Sequence, residues 1–208
     1  MKKTKICPNE YEHAYWEKEL LLAGIDEAGR GPLAGPLCAA AVKFPRGYEN
    51  PDIYDSKALS EKKREELFDV IQKDALWYEI AVIPVEEIDR LNIYRADQKA
   101  FETLADHSGA DIILTDAMPL PGFKKPVIDL VKGDQKSVSI AAASILAKVT
   151  RDRIMKEYDA VYPEYGFAKN KGYGTKQHLD AIEQYGITPI HRRSFAPVRY
   201  KQTQLDLF

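Results

Sequence analysis

The chain has 208 residues, a formal net charge of −2, 45% hydrophobic and 30% charged residues. Such a chain can build one sizeable core, or a core with a small appendage. No apolar run reaches the ~18–20 residues of a membrane-crossing helix, and the basic start Met1-Lys2-Lys3-Thr4-Lys5 is not followed by an apolar secretory stretch. Two cysteines, Cys7 and Cys38, exclude a disulfide framework and point to the reducing cytoplasm; Cys38 reads as a small core residue. Charge is unevenly spread. Residues 1–120 carry 15 Lys+Arg against 23 Asp+Glu, and residues 121–208 carry 15 against 9, nets of −8 and +6. The cationic second half makes a nucleic-acid-facing surface plausible despite the mean charge.

Residues 8–19, with Tyr11, Tyr15 and Trp16, predict a helix on the edge of the core. Residues 20–26 predict a first strand and residues 37–42 a second, paired antiparallel across a turn containing Pro32, Gly35 and Pro36. Asp55-Ser56-Lys57 falls in a loop. Ser60 caps a helix in which Phe68, Ile71 and Ala75 recur at helical spacing. Residues 76–83 form a third strand, Pro84 opens a short helix, and residues 96–107 form another. A fourth strand, 112–115, ends at Asp116; a fifth, 127–131, is followed by Gly133-Asp134. Residues 137–162 read as a long helix burying Val138, Ala141, Ile145, Val149, Met155, Tyr158 and Val161. Residues 162–173 read as a loop and 175–185 as a helix closed by Gly186. This order implies an α/β fold, a mixed five-stranded sheet flanked by helices with a helical C-terminal part.

Asp26, Asp116 and Asp134 end or follow strands. Sites in open α/β sheets gather outside strand carboxyl ends, so these acids can converge. Adjacent strand residues face opposite ways; Glu27 joins Asp26 only if the strand breaks, as Ala28-Gly29 permits. Four carboxylates in one cleft would take up protons unless cations neutralise them. All-oxygen ligation fits Mg²⁺ or Mn²⁺ rather than zinc, and two such ions ~4 Å apart can activate water and stabilise a leaving oxygen. An aspartate at a strand end also serves as a turn former or cap, a reading that stays open for Asp116 and Asp134. The glycines of Gly29-Arg30-Gly31 let a partner backbone come close. Residues 29–34 match a dinucleotide fingerprint only loosely, since the preceding acids would repel a pyrophosphate and Pro32 removes a donor.

Residues 24–36, Gly-Ile-Asp-Glu-Ala-Gly-Arg-Gly-Pro-Leu-Ala-Gly-Pro, closely resemble the signature of bacterial ribonuclease HII. Segments similar to that family follow in order: Asp55-Ser56-Lys57, Thr115-Asp116, residues 132–136, 141–148, 151–153, 171–175 and 191–195. The resemblance spans about residues 20–199 and leaves no room for the extra N-terminal domain of the type HIII enzymes. It implies a ribonuclease H-like fold and endonucleolytic cutting of RNA in hybrids, with nicks 5′ of ribonucleotides embedded in DNA that leave a 3′-hydroxyl and a 5′-phosphate. The four acidic ligands then map onto Asp26, Glu27, Asp116 and Asp134, binding two ions in the catalytic complex, with the first and fourth strands as neighbours. The Gly29-Arg30-Gly31 backbone would meet the 2′-hydroxyl, the group that separates RNA from DNA, and Tyr173 would stack on the next sugar. Lys57, Lys148, Lys171 and Arg192 are candidates for phosphate contacts, and His191 reads as structural. A two-metal nuclease blind to ribonucleotides and a non-catalytic binding protein are the alternatives. The Gly-Arg-Gly and Tyr173 pairing argues against the first, the intact acid set against the second.

The catalytic domain is taken as residues 1–198 and residues 199–208 as a flexible tail. Lys201-Gln202-Thr203 suits a tether, and Gln204-Leu205-Asp206-Leu207-Phe208 resembles the bacterial sliding-clamp motif. There Leu205, Leu207 and Phe208 would be the apolar contacts and Gln204 a hydrogen bond at the pocket rim. A cytoplasmic monomer acting on hybrid or ribonucleotide-containing duplex, without membrane contact, is the expectation.

Overall fold

The computed structural model describes the backbone of residues 9–205 and side chains through residue 201. Expectations for Cys7, Leu207 and Phe208 lie outside the described residues, as do those for the side chains of Gln204 and Leu205. The strands β1 (Leu22–Ala28), β2 (Leu37–Lys43), β3 (Trp77–Ile83), β4 (Ile112–Asp116) and β5 (Val127–Leu130) form one sheet in the order β3-β2-β1-β4-β5. β1 runs parallel to β4, with Ile25 opposite Thr115, and β4 runs parallel to β5, with Asp116 opposite Leu130. Parallel neighbours need long crossovers, so acids far apart in sequence arrive at the same sheet end. The apolar runs of β1 and β4 are buried almost throughout, as parallel central strands are.

Eight helices accompany the sheet among the described residues: α1 (Glu10–Trp16), α2 (Glu61–Asp74), α3 (Val85–Leu91), α4 (Ile93–His107), α5 (Val138–Val161), α6 (Phe167–Asn170), α7 (Lys176–Tyr185) and α8 (Ala196–Leu205). Ser60 Oγ accepts the Lys63 N–H at 3.2 Å, the expected N-cap, and Thr175 Oγ1 accepts the His178 N–H at 3.3 Å as a second one. Residues 162–173 are not one loop. They hold a 3-10 turn, Pro163–Tyr165, and α6, each too short to show a period in sequence. Residues 199–205, expected as the start of a flexible tail, continue α8; Pro197 sits in its first turn, where a missing N–H costs nothing, and Val198 is buried.

The chain forms two compact units, both discontinuous. One comprises Met1–Ala28, Ala39–Ala81 and Gln98–Val149, the other Gly29–Cys38, Val82–Asp97 and Thr150–Phe208. In the first, Leu22, Val42 and Leu114 pack with Ile140, Ile145 and Val149 of α5. The helix comes so close to β1 that a Cβ on Gly24 would lie 2.3 Å from the Ile140 nitrogen. Its N-terminus is held by α1 and the residue before it. Asn9 Oδ1 accepts the Val138 N–H at 3.2 Å, and the buried Glu12 carboxylate accepts the Ser139 N–H at 3.1 Å and the Ser137 hydroxyl. A carboxylate there also suits the helix dipole. The second unit's core contains Leu33, Met155, Phe167, Ile182 and Val198. Cys38 is fully buried, and burial pushes its thiol up to about 12. Among the described residues no helix is long and apolar enough to cross a membrane.

Candidate active site

Parallel pairing puts Asp26 and Asp116 on adjacent strands, each one residue past the paired Ile25 and Thr115. Asp134 follows β5 on a 3-10 turn, Gly133–Gln135, entered through Lys132 in the left-handed region (φ 57°). The Gly133 N–H donates to Asp116 Oδ1 at 2.8 Å, tying that turn to β4. A Cβ on Gly133 would meet Ile140 Cδ1 at 2.6 Å, so the turn packs closely on the Ile140 side chain. β1 runs on through Glu27 to Ala28, and the break falls at Gly29 (φ 106°), later than expected.

These acids sense one another. Burial raises the Asp26 pKa well above the carboxylate range, and the charges of Glu27, Asp116 and Asp134 add to it, against the Glu27 N–H that donates to Asp26 Oδ1. Burial also raises Asp134, to about 6, helped by Asp55 and Asp116 and opposed by Lys57. Lys57 answers with a raised pKa: burial pulls it down, but Asp134, Asp26, Asp55 and Asp116 outweigh that. The structure therefore gathers Asp26, Asp116, Asp134 and Lys57 into one electrostatic cluster, while Glu27, still within β1, acts on its neighbour Asp26. It adds an acid the sequence reading left unassigned, Asp55. Asp55 Oδ1 accepts the Lys57 N–H at 2.9 Å, and Oδ2 accepts Gln135 Nε2 at 3.2 Å. Among the described residues no three His, Cys, Asp or Glu side chains already close around an ion position. The donor set is nevertheless all oxygen and overloaded with negative charge, which fits a hard divalent cation.

In the second unit, Gly29-Arg30-Gly31 is held from within. Arg192 was expected to contact phosphate; this is corrected by its burial, with no exposed surface. Its guanidinium donates to the carbonyls of Gly29 (2.7 Å), Arg30 (3.1 Å), Gly35 (2.9 Å) and Pro36 (3.1 Å). The planar five-donor fork suits such a cluster of acceptors. Arg151, also buried, donates to Pro36, Lys171 and Ala34 carbonyls. Burial, then the Arg151 charge, lowers Arg192 to about 9, so it stays cationic at neutral pH. A trans peptide points its N–H opposite its C=O, and no cis peptide occurs among the described residues. With the Gly29 and Arg30 carbonyls turned to Arg192, the Arg30 and Gly31 N–H groups point away from it. The Arg30 side chain pairs with buried Asp97 at 3.2 Å.

Gly31 faces Tyr173: a Cβ there would lie 3.5 Å from Tyr173 Cε1, and the tyrosine is 48% exposed. A Cβ on Gly29 would meet Arg151 Nε at 2.2 Å. Lys171 Nζ donates to the Ala168 carbonyl, and Lys148 is half-buried on α5. Arg151 and Arg192 carried one sequence signal: each sits inside a motif yet has no carboxylate at helical spacing.

A mixed five-stranded sheet with interacting aspartates near the carboxyl ends of its parallel central strands is the architecture of a nuclease of the ribonuclease H-like class. A model of that class, described as Ribonuclease HII, matches residues 23–198. Ribonuclease HII of Clostridioides difficile (strain 630) is 55% identical over 192 residues, 90% of this chain and 74% of that protein. The ribonuclease H2 of Pyrococcus horikoshii OT3 superposes with a TM-score of 0.77 at 26% identity, covering 90% of this chain and 99% of that one. The RNase HII solved in a complex with PCNA from Archaeoglobus fulgidus gives 0.72 at 26%, covering 83% and 94%. The chain belongs to the ribonuclease HII family. It is a hydrolase with ribonuclease H activity on RNA–DNA hybrids.

Proposed function

We propose that this ribonuclease nicks duplex DNA on the 5′ side of an embedded ribonucleotide, as well as cutting the RNA strand of hybrids. The observation that carries this reading is the Gly29-Arg30-Gly31 turn: it follows the acids directly in sequence, its carbonyls are turned to Arg192, and Gly31 faces Tyr173. The outward N–H groups of Arg30 and Gly31 can donate to a 2′-hydroxyl or a phosphate oxygen, and glycine leaves room for the sugar. Tyr173 supplies a ring on which the following sugar stacks. Deoxyribose lacks the hydroxyl, so this contact separates RNA from DNA.

Asp26, Glu27, Asp116 and Asp134 would hold Mg²⁺ or Mn²⁺, two ions in the catalytic complex. Bound there, the ions would supply Lewis-acid activation of water and charge stabilisation of the leaving oxygen. Asp116 anchors the Asp134 turn through Gly133, and Lys57 offsets the cluster's charge near a phosphate. In the hydrolysis the P–O3′ bond breaks. The water oxygen ends on the 5′-phosphate of the ribonucleotide, and a proton ends on the 3′-hydroxyl of the upstream strand. The test is a DNA duplex carrying one ribonucleotide, with Mg²⁺ or Mn²⁺. A single nick 5′ of the ribonucleotide is expected, with all-DNA duplex intact; equal cutting of the all-DNA control overturns the reading.

The end of the chain, Gln204 to Phe208, would bind the bacterial sliding clamp, a proposal supported by its motif and by the A. fulgidus relative solved with PCNA. Tethering raises local concentration on DNA without new catalytic contacts. Deleting residues 204–208 should abolish clamp binding and leave cutting of short duplexes unchanged; retained clamp binding would refute it. A monomer working in the cytoplasm completes the reading.

A further inference from the structure

The second unit buries two histidines, His178 and His191, at 0% and 1% exposure, among the rings of Tyr165 and Phe167. Their Nε2 atoms stand 3.0 Å apart. Partners fix where the protons are. The Thr188 backbone N–H, which can only donate, points at His191 Nδ1 at 2.9 Å, and the Thr188 hydroxyl lies 2.8 Å from the same atom. His191 Nδ1 is therefore the bare nitrogen, and its ring proton is on Nε2. That proton faces His178 Nε2, which must be bare to accept it. The His178 proton is then on Nδ1, 2.9 Å from the backbone carbonyl of Tyr173. Burial lowers the pKa of both rings, His191 to about 4, so the neutral forms persist at neutral pH.

The far end of this chain of donors matters because of where Tyr173 sits. It lies between Gly172 (φ 83°) and Gly174, the two neighbours that restrict a backbone least. Its ring is half exposed, and packing alone does not hold it. The Tyr173 N–H donates to the Asn170 carbonyl at 3.0 Å, and its own carbonyl accepts from Thr175 N–H at 2.7 Å and from His178. A histidine with the other tautomer would offer that carbonyl a lone pair instead of a proton.

We propose that His178 and His191 form a tautomer-locked relay, from the Thr188 amide to the Tyr173 carbonyl, that positions Tyr173 for discrimination of a single ribonucleotide. Both are positioning residues, and the inference rests on the reading of Tyr173 given under Proposed function. An asparagine amide nitrogen overlays imidazole Nδ1, whereas that of glutamine overlays Nε2. His178→Asn keeps a donor for the Tyr173 carbonyl, and His178→Gln does not.

The experiment compares wild type, H178N, H178Q and Tyr173→Ala on two substrates: duplex DNA with one ribonucleotide, and a continuous RNA–DNA hybrid. H178Q is expected to lose about tenfold or more in kcat/KM on the single ribonucleotide relative to the hybrid, and H178N to stay within about threefold of wild type. H178Q and H178N losing activity alike on both substrates would reduce the pair to core packing and overturn the relay. Should Tyr173→Ala shift the ratio while H178Q does not, the relay fails and the tyrosine reading stands. Should Tyr173→Ala leave the ratio unchanged, the tyrosine reading itself fails. Nitrogen-15 NMR of the wild-type imidazoles is independent of any variant's folding. Protonated Nδ1 on His178 and protonated Nε2 on His191 are expected; the opposite tautomers overturn the proposal.

Discussion

At the scale of single residues, the site is built from groups that would be unfavourable on their own. The folded protein raises Asp134 from its ordinary 3.8 to about 6. A carboxyl that binds its proton more tightly when folded favours folding below the unfolded pKa, and that contribution is lost as pH rises through about 6. In cation-free buffer, Asp134→Asn should therefore be more stable than wild type by about 2–3 kcal/mol at pH 7.5, with the difference vanishing near pH 4. Urea denaturation at the two pH values measures this. The same variant should show no turnover with Mg²⁺; full activity would remove Asp134 from the ion site. Arg192 shows the opposite economy, a buried charge satisfied by four carbonyls. Arg192→Lys keeps the charge and loses the fork. It should cost about 2–4 kcal/mol and lower the preference for ribonucleotide over DNA, read by denaturation and by paired-substrate kinetics.

At the scale of elements, α5 fixes the strand ends that carry the acids. It touches the backbone of β1 at Gly24 and packs Ile140 against Gly133 in the Asp134 turn. Gly24→Ala puts a methyl group 2.3 Å from helix backbone that cannot rotate away. A cost of about 3 kcal/mol or more is expected, with activity falling further than stability because the helix must shift against both β1 and the Asp134 turn. Glu12→Ala removes the carboxylate that caps α5 from α1. It should cost about 1–2 kcal/mol in thermal or urea unfolding while leaving the acids in place. The sequence showed Ser60 as a cap because it lies beside the helix it caps. Glu12 was not legible, since it lies 125 residues from Ser137, its hydrogen-bond partner.

At the scale of the whole molecule, two compact units carry opposite pH dependences. The Asp134 contribution in the first is lost as pH rises from about 4 to 6. His191 in the second has a depressed pKa, about 4 against 6.5, so its contribution is present above 6.5 and is lost as pH falls toward 4. The two offset each other in wild-type protein. With Asp134→Asn in cation-free buffer, His191 should contribute a gain of up to about 3 kcal/mol between pH 4 and 6.5, against the raised carboxyl of Asp26, and adding His191→Gln should lower the slope of stability against pH. A slope unaffected by the second substitution would mean that His191 does not titrate there.

The sequence by itself determined the strands, the longer helices up to Tyr185 and the acids near strand ends, because periodicity and chain termination are local properties. It also suggested a backbone break near Gly29, since glycine's freedom belongs to the residue. Tertiary structure alone decided the rest. The parallel pairing of β1 with β4 makes neighbours of Asp26 and Asp116, which sequence suggested only through strand ends and family likeness. Packing turned Arg192 from an expected phosphate ligand into the clasp of the turn, because burial and acceptor geometry are not written in residue type. The tail's first residues extend a helix that begins at Ala196 and buries Val198. The tautomers of His178 and His191 follow from a backbone amide and a backbone carbonyl that only the fold brings to them.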